Sequence, residues 1–269
     1  MSLTDLLLRL IRVREAWRLR KTRIPESCWR DTVARLPLLQ QLTAAERHRL
    51  RELTGEFLRV KSFSGEGGLV LNDEMRVLIA AQACLLILAL DMRYFDGWYE
   101  VIVYPDSFVV RRDETDESGL VHEASRVLGG EAWSLGPVIL SWSNANPRSD
   151  PGTHLHGDAS NVILHEFAHK LDMLNGVANG MPPLHKEMRQ EIWTRVFQHA
   201  YDDLSHRLER HQHSCIDPYA VENPAEFFAV SSETFFENPR CIFQSYPELY
   251  QQLQLFYRQD PLQRQANRT

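Results

Sequence analysis

The stretch NVILHEFAHKL (161–171) constrains this chain more than any other. Apolar residues on both sides of HEFAH make it a helix driven into a core. That helix nevertheless presents two histidines and a glutamate. His165 and His169 are four residues apart, so both imidazoles leave one helix face a single turn apart. That separation suits two ligands of one tetrahedral zinc. Glu166 is rotated by about 100° from His165 and is expected as the general base, acting on a water beside the metal without being a ligand itself.

A catalytic zinc takes three protein ligands, so a third must come from elsewhere. The extended pattern HExxHxxGxxH is absent, because Asp172 and Asn175 stand at its glycine and last histidine positions. Asp172 shares the ligand face, but three groups on one straight helix lie nearly in line, and we expect it to orient a histidine instead. A better third ligand, Glu226, stands 61 residues after His165 in YAVENPAEFFA (219–229). There Asn223 can cap a helix, Pro224 suits its first position, and Glu226 leaves the first turn among apolar neighbours. Asn-x-x-Glu also resembles a capping box, which would use Glu226 locally; that motif proper starts with Ser or Thr and has no need of Phe227 and Phe228. Glu222, ahead of the helix, and Glu233, seven residues along it, are rival ligands. The other histidines, including His154, His156, His211 and His213, lie in polar stretches and read as surface groups.

The rest of the chain reads as α+β, mostly helical with a small mixed β-sheet. Helical patterns cover Trp29–Leu42, Ala44–Phe57, Leu71–Leu90, Ser160–Leu174, Leu184–Leu208, Pro224–Phe236 and Pro247–Tyr257. Asn72 or Asp73 is the expected cap of the third of these. Strand patterns fall at Glu100–Tyr104, Ser107–Arg111, Leu120–Glu123 and Gly136–Trp142, the last a candidate edge strand for an extended peptide. RDETDESG (112–119) reads as a hairpin turn, and Ser143–Asp158 as a loop. We divide the chain into a basic amphipathic arm (1–24), a helical N-terminal region (25–97), a catalytic region (98–262) and a tail expected to fray (263–269).

Charge and composition exclude some functions. The net charge of −6 argues against nucleic acid as a direct partner, yet residues 1–23 alone carry +5. Leu3, Leu6, Leu7, Leu10 and Trp17 in that arm alternate with arginines, a pattern open to weak membrane-surface contact or to ordinary packing. The longest apolar run, Leu78–Leu90, has Gln82 inside it and spans 13 residues, too short to cross a bilayer. The four cysteines are far apart in sequence with no CxxC, which fits a reducing, cytoplasmic setting.

These stretches together resemble the MtfA family of bacterial zinc peptidases, the Mlc titration factor group. Its catalytic core is similar to that of anthrax lethal factor. The resemblance is carried by IAAQAC (79–84), WYEVIVYP (98–105), GEAWSLGPVILSW (130–142), NVILHEFAHKLDMLNGVANGMPPL (161–184), IDPYAVENPAEFFAVSSETFFENP (216–239) and LYQQLQLFYRQDP (249–261). It implies a zincin-like fold and one Zn2+ per chain held by His165, His169 and Glu226. It makes Glu166 the base and Tyr219 the residue that faces the reacting carbonyl. It further implies weak aminopeptidase-like activity on peptides and binding to an Mlc-type glucose repressor. A mainly non-catalytic, repressor-sequestering role is the alternative.

Overall fold

The computed structural model describes residues 24–115, 121–128, 130–133, 136–146 and 161–266. The arm, apart from its last residue, and His154 and His156 lie outside them. Along the chain run α1 (Glu26–Arg35), α2 (Pro37–Gln40), α3 (Ala44–Val60), β1 (Ser62–Gly65) and α4 (Asp73–Leu86). A 3-10 turn, Met92–Phe95, leads into β2 (Glu100–Tyr104), β3 (Phe108–Thr115), β4 (Val121–Leu128), β5 (Gly130–Ala132) and β6 (Val138–Ser141). Next come a single helical turn α5 (Trp142–Ala145), α6 (Val162–Asp172) and α7 (Gln190–Glu209). The last elements are α8 (Pro224–Glu237), α9 (Pro239–Ser245), α10 (Pro247–Tyr257) and α11 (Pro261–Ala266). The architecture is α+β, mostly helical.

The helix starts follow local chemistry. Thr43 and Glu46 form a reciprocal capping box on α3, and the Asn72 side chain accepts from the Met75 amide at the start of α4. The four-stranded sheet has the order β1-β2-β6-β5, with β5 antiparallel to β6 and the other pairs parallel. Val101, Val103, Val138 and Leu140 are fully buried on one face of it. Phe57, Phe95, Trp98 and Phe167 meet edge-on or tilted in the same core, tying α3 and α6 together. No helix among the described residues is long and apolar enough to cross a membrane.

Several expectations need correction. The strand from the Gly136–Trp142 pattern is β6, which lies inside the sheet between β2 and β5; the edge beside the histidine helix belongs to β5. The β3–β4 pairing runs through Arg112–Thr115, where sequence composition suggested a turn. Residues 263–266, expected to fray, continue α11, because Arg264 reaches Glu46 (2.6 Å) and the Gln263 amide donates to Asp260. The cysteines are not all free. Cys215 and Cys241 are disulfide-bonded with Cα atoms 6.1 Å apart, while Cys28 and Cys84 are free and buried. A pair 26 residues apart leaves no spacing signal in sequence.

Candidate active site

Two crossing helices build the site. On α6, Asn161 caps the N-terminus by accepting from the Leu164 amide, and apolar Ile163, Leu164, Phe167 and Ala168 sink the helix into the core. His165 and His169 are thereby buried on one face, with their Nε2 atoms 3.1 Å apart. On α8, Asn223 accepts from the amides of Ala225 and Glu226, and Pro224 occupies the first turn. The Glu226 side chain does not return to the Asn223 amide to close a capping box; it turns to the histidines. Its Oε2 lies 2.9 Å from His165 Nε2 and 3.2 Å from His169 Nε2.

These three atoms form a nearly equilateral triangle. A tetrahedral ion with bonds of ~2.0 Å has ligand–ligand edges of ~3.3 Å, so the triangle matches three corners of such a site. Among the described residues, His165, His169 and Glu226 are the group of His, Cys, Asp and Glu side chains placed to hold a metal. Glu222 stands exposed at the end of the 3-10 turn Pro218–Val221 and is outside that group.

The electrostatics also favour a cation. Burial pulls the His165 imidazole down, but carboxylates on both its nitrogens override this and push it well above the usual histidine range. Burial raises the Glu226 carboxyl, whereas the two histidines beside it bring it well below the usual carboxylate range. Glu166 behaves differently. It is only 4% exposed, its Oε2 has no hydrogen-bond partner, and burial pushes its carboxyl up to about 7 against the pull of both histidines. An unpartnered, buried carboxylate beside the triangle suits a proton acceptor for a small molecule bound there.

The carboxylate that orients a histidine is Glu233. Its Oε1 accepts from His165 Nδ1 at 2.6 Å, which fixes the ring's orientation and aims Nε2 at Glu226 and His169. Asp172, expected in that role, receives the amides of Asn179 (2.8 Å) and Gly180 (2.7 Å) on Oδ2, which folds the loop after α6. Its Oδ1 and His169 Nδ1 are buried without a hydrogen-bond partner among the described residues. Tyr219 lies half-buried in the 3-10 turn, its amide held by Asp217, with its ring 6.0 Å from that of His165.

Sequence reasoning missed the role of β5. A Cβ placed on Gly130 would lie 2.5 Å from both Cγ and Oε1 of Glu166, so this strand presses directly on the Glu166 side chain. One turn further along α6, buried Lys170 donates to the carbonyls of Trp133 and Gly136, and so ties α6 to the chain just after β5. A three-residue strand offers no alternation to read; the one available signal was the glycine at its start.

The glucose-regulated metallo-peptidase M90 family matches residues 10–258. Mlc titration factor A of Yersinia pestis (strain Pestoides F) is 37% identical over 240 residues, covering 88% of this chain and 86% of that protein. The Yersinia pseudotuberculosis (serotype O:3, strain YPIII) protein of the same name gives the same figures, 37% over 240 residues. With the HExxH helix and its downstream glutamate in metal-holding geometry, the chain belongs to the glucose-regulated metallo-peptidase M90 family.

Proposed function

We propose that this metallopeptidase is a zinc enzyme with aminopeptidase-like action on peptides, and that it also binds an Mlc-type transcriptional repressor. The observation that carries the catalytic reading is the triangle of His165 Nε2, His169 Nε2 and Glu226 Oε2 with unpartnered Glu166 beside it. Two imidazoles and one carboxylate are a donor set that zinc accepts while keeping a fourth position open. When bound there, zinc supplies a Lewis acid that acidifies water towards a pKa of ~7 and polarises a carbonyl.

The protein's own groups do the rest. Glu166 takes the proton of the attacking water and delivers it to the leaving amine, a role that suits a carboxyl raised towards neutrality. The Tyr219 hydroxyl donates to the oxyanion as it forms. The substrate backbone pairs in extended form with the edge of β5, which runs beside α6 from Glu166 towards Lys170.

Metal analysis of the pure protein, with a peptide-library digest of wild type and Glu166→Gln, tests this reading. One zinc per chain in both proteins and hydrolysis by wild type alone are expected. Hydrolysis by Glu166→Gln above about 10% of wild type removes Glu166 from the role of base. The name of the Yersinia relatives, Mlc titration factor A, supports the second role. Repressor capture that survives Glu166→Gln separates binding from catalysis, and no capture by either protein refutes it.

A further inference from the structure

We propose that Asn161 and Gln82 are positioning residues for the metal-holding face: a part-buried amide bridge keeps the helix of His165 in register with the helix of Glu226 and Glu233. The inference rests on the metal site described above, and it answers a question left open by sequence. Gln82 is the one polar residue in the apolar run Leu78–Leu90, and it is 2% exposed in the middle of α4. An amide buried in such a place is destabilising unless its polar atoms are used.

Its partner is Asn161. Asn161 Nδ2 donates to Gln82 Oε1 at 2.8 Å and to Glu237 Oε1 at 3.0 Å. Asn161 Oδ1 accepts from the Leu164 amide at 3.1 Å, and the Asn161 backbone amide donates to Glu233 Oε2 at 2.8 Å. The other Glu233 oxygen is the one that holds His165 Nδ1. One residue thus joins three helices: α4 through Gln82, the start of α6 through its own cap, and α8 through Glu233 and Glu237.

The chemistry at this position selects asparagine. The oxygen is committed to the Leu164 amide, so the nitrogen must face the two acceptors, and the amide cannot be flipped without loss. Aspartate would keep the cap but turn an oxygen towards Gln82 Oε1 and Glu237 Oε1. Serine would keep the cap and lose both ties. Without the ties, the Asn161 amide and the Glu233 carboxylate it anchors are free to shift, and His165 shifts with them. Groups that orient a metal-bound histidine typically contribute 10–100-fold in metal affinity.

The test measures zinc affinity by competition with a chromophoric chelator, and the melting temperature of the metal-free protein, for the full chain and three variants. Asn161→Ser, which keeps the cap, is expected to bind zinc at least 10-fold more weakly than wild type. Gln82→Met removes one acceptor of Asn161 Nδ2 with little change of shape, so the metal-free melting temperature should fall modestly, by the loss of one hydrogen bond, while zinc binding weakens several-fold. A merely structural role would move melting temperature without moving affinity. Zinc affinity within twofold of wild type in both variants overturns the proposal, whatever happens to stability. Glu226→Ala separates this failure from failure of the metal site itself: if that variant binds zinc as wild type does, the metal site is wrong and this inference falls with it.

Discussion

Gly130→Ala tests how the site is held, because the added methyl has nowhere to go. The new Cβ would lie 2.5 Å from Glu166 Cγ and Oε1 and 2.8 Å from its Cδ. Ordinary carbon contacts lie near 3.5 Å, so the Glu166 side chain or β5 must yield by about 1 Å. A displacement of that size in a catalytic group costs about 10²-fold in rate, or about 3 kcal/mol of transition-state stabilisation. The zinc ligands are outside this contact. We therefore expect kcat/KM on a cleaved peptide to fall about 10²-fold while zinc stays at one per chain. Crowding of this kind also costs about 1–3 kcal/mol of stability, so thermal denaturation should be followed in parallel. Activity within twofold of wild type would refute the claim that β5 fixes Glu166. Loss of zinc would refute it differently, since the strand would then be shifting the whole of α6.

Other perturbations separate the remaining roles. Glu226→Ala should lose most of its zinc, measured by elemental analysis, because only two of the three close donor atoms remain. Tyr219→Phe should lower kcat by about 10²-fold with zinc content and melting temperature unchanged, since a donor to the developing oxyanion matters most in the transition state. Burial and the charge of Glu233 raise the Glu237 carboxyl to about 8, against the opposing Asn161 hydrogen bond. Its proton stabilises the fold fully below the unfolded value of 4.5, and that contribution is lost as pH rises through about 8. The melting temperature of Glu237→Gln, which cannot ionise, should accordingly gain on wild type between pH 5 and pH 9; a constant difference would contradict the assignment.

The parts legible in sequence are those whose signal is local. The apolar residues of both site helices repeat at helical period, and Asn223 with Pro224 announces the start of one; the cap of the other, Asn161, sits inside the stretch read as helix from Ser160. The strands β1 and β5 were not legible, because four and three residues are too few for an alternating pattern. They are strands only because β2 and β6 lie beside them. The Cys215–Cys241 pairing was hidden for the same reason: α9 brings Cys241 back to the loop after α7, and no spacing announces it.

The choice between Glu226 and Glu233 shows where reading by period stops. Seven residues on a helix make nearly two turns, so both carboxylates lie on one face of α8, and both reach the same imidazole. Nothing in their spacing says which nitrogen each will meet. The second contact of each side chain decides it. Glu226 Oε2 also touches His169 Nε2, so it completes a set of atoms that converge on one point. Glu233 gives its second oxygen to the Asn161 amide and is anchored to the start of α6. One carboxylate is thus placed to share a cation with the histidines and the other to aim one of them. Both assignments depend on the crossing of α6 and α8 in space, a property of the packed core that neither helix encodes alone.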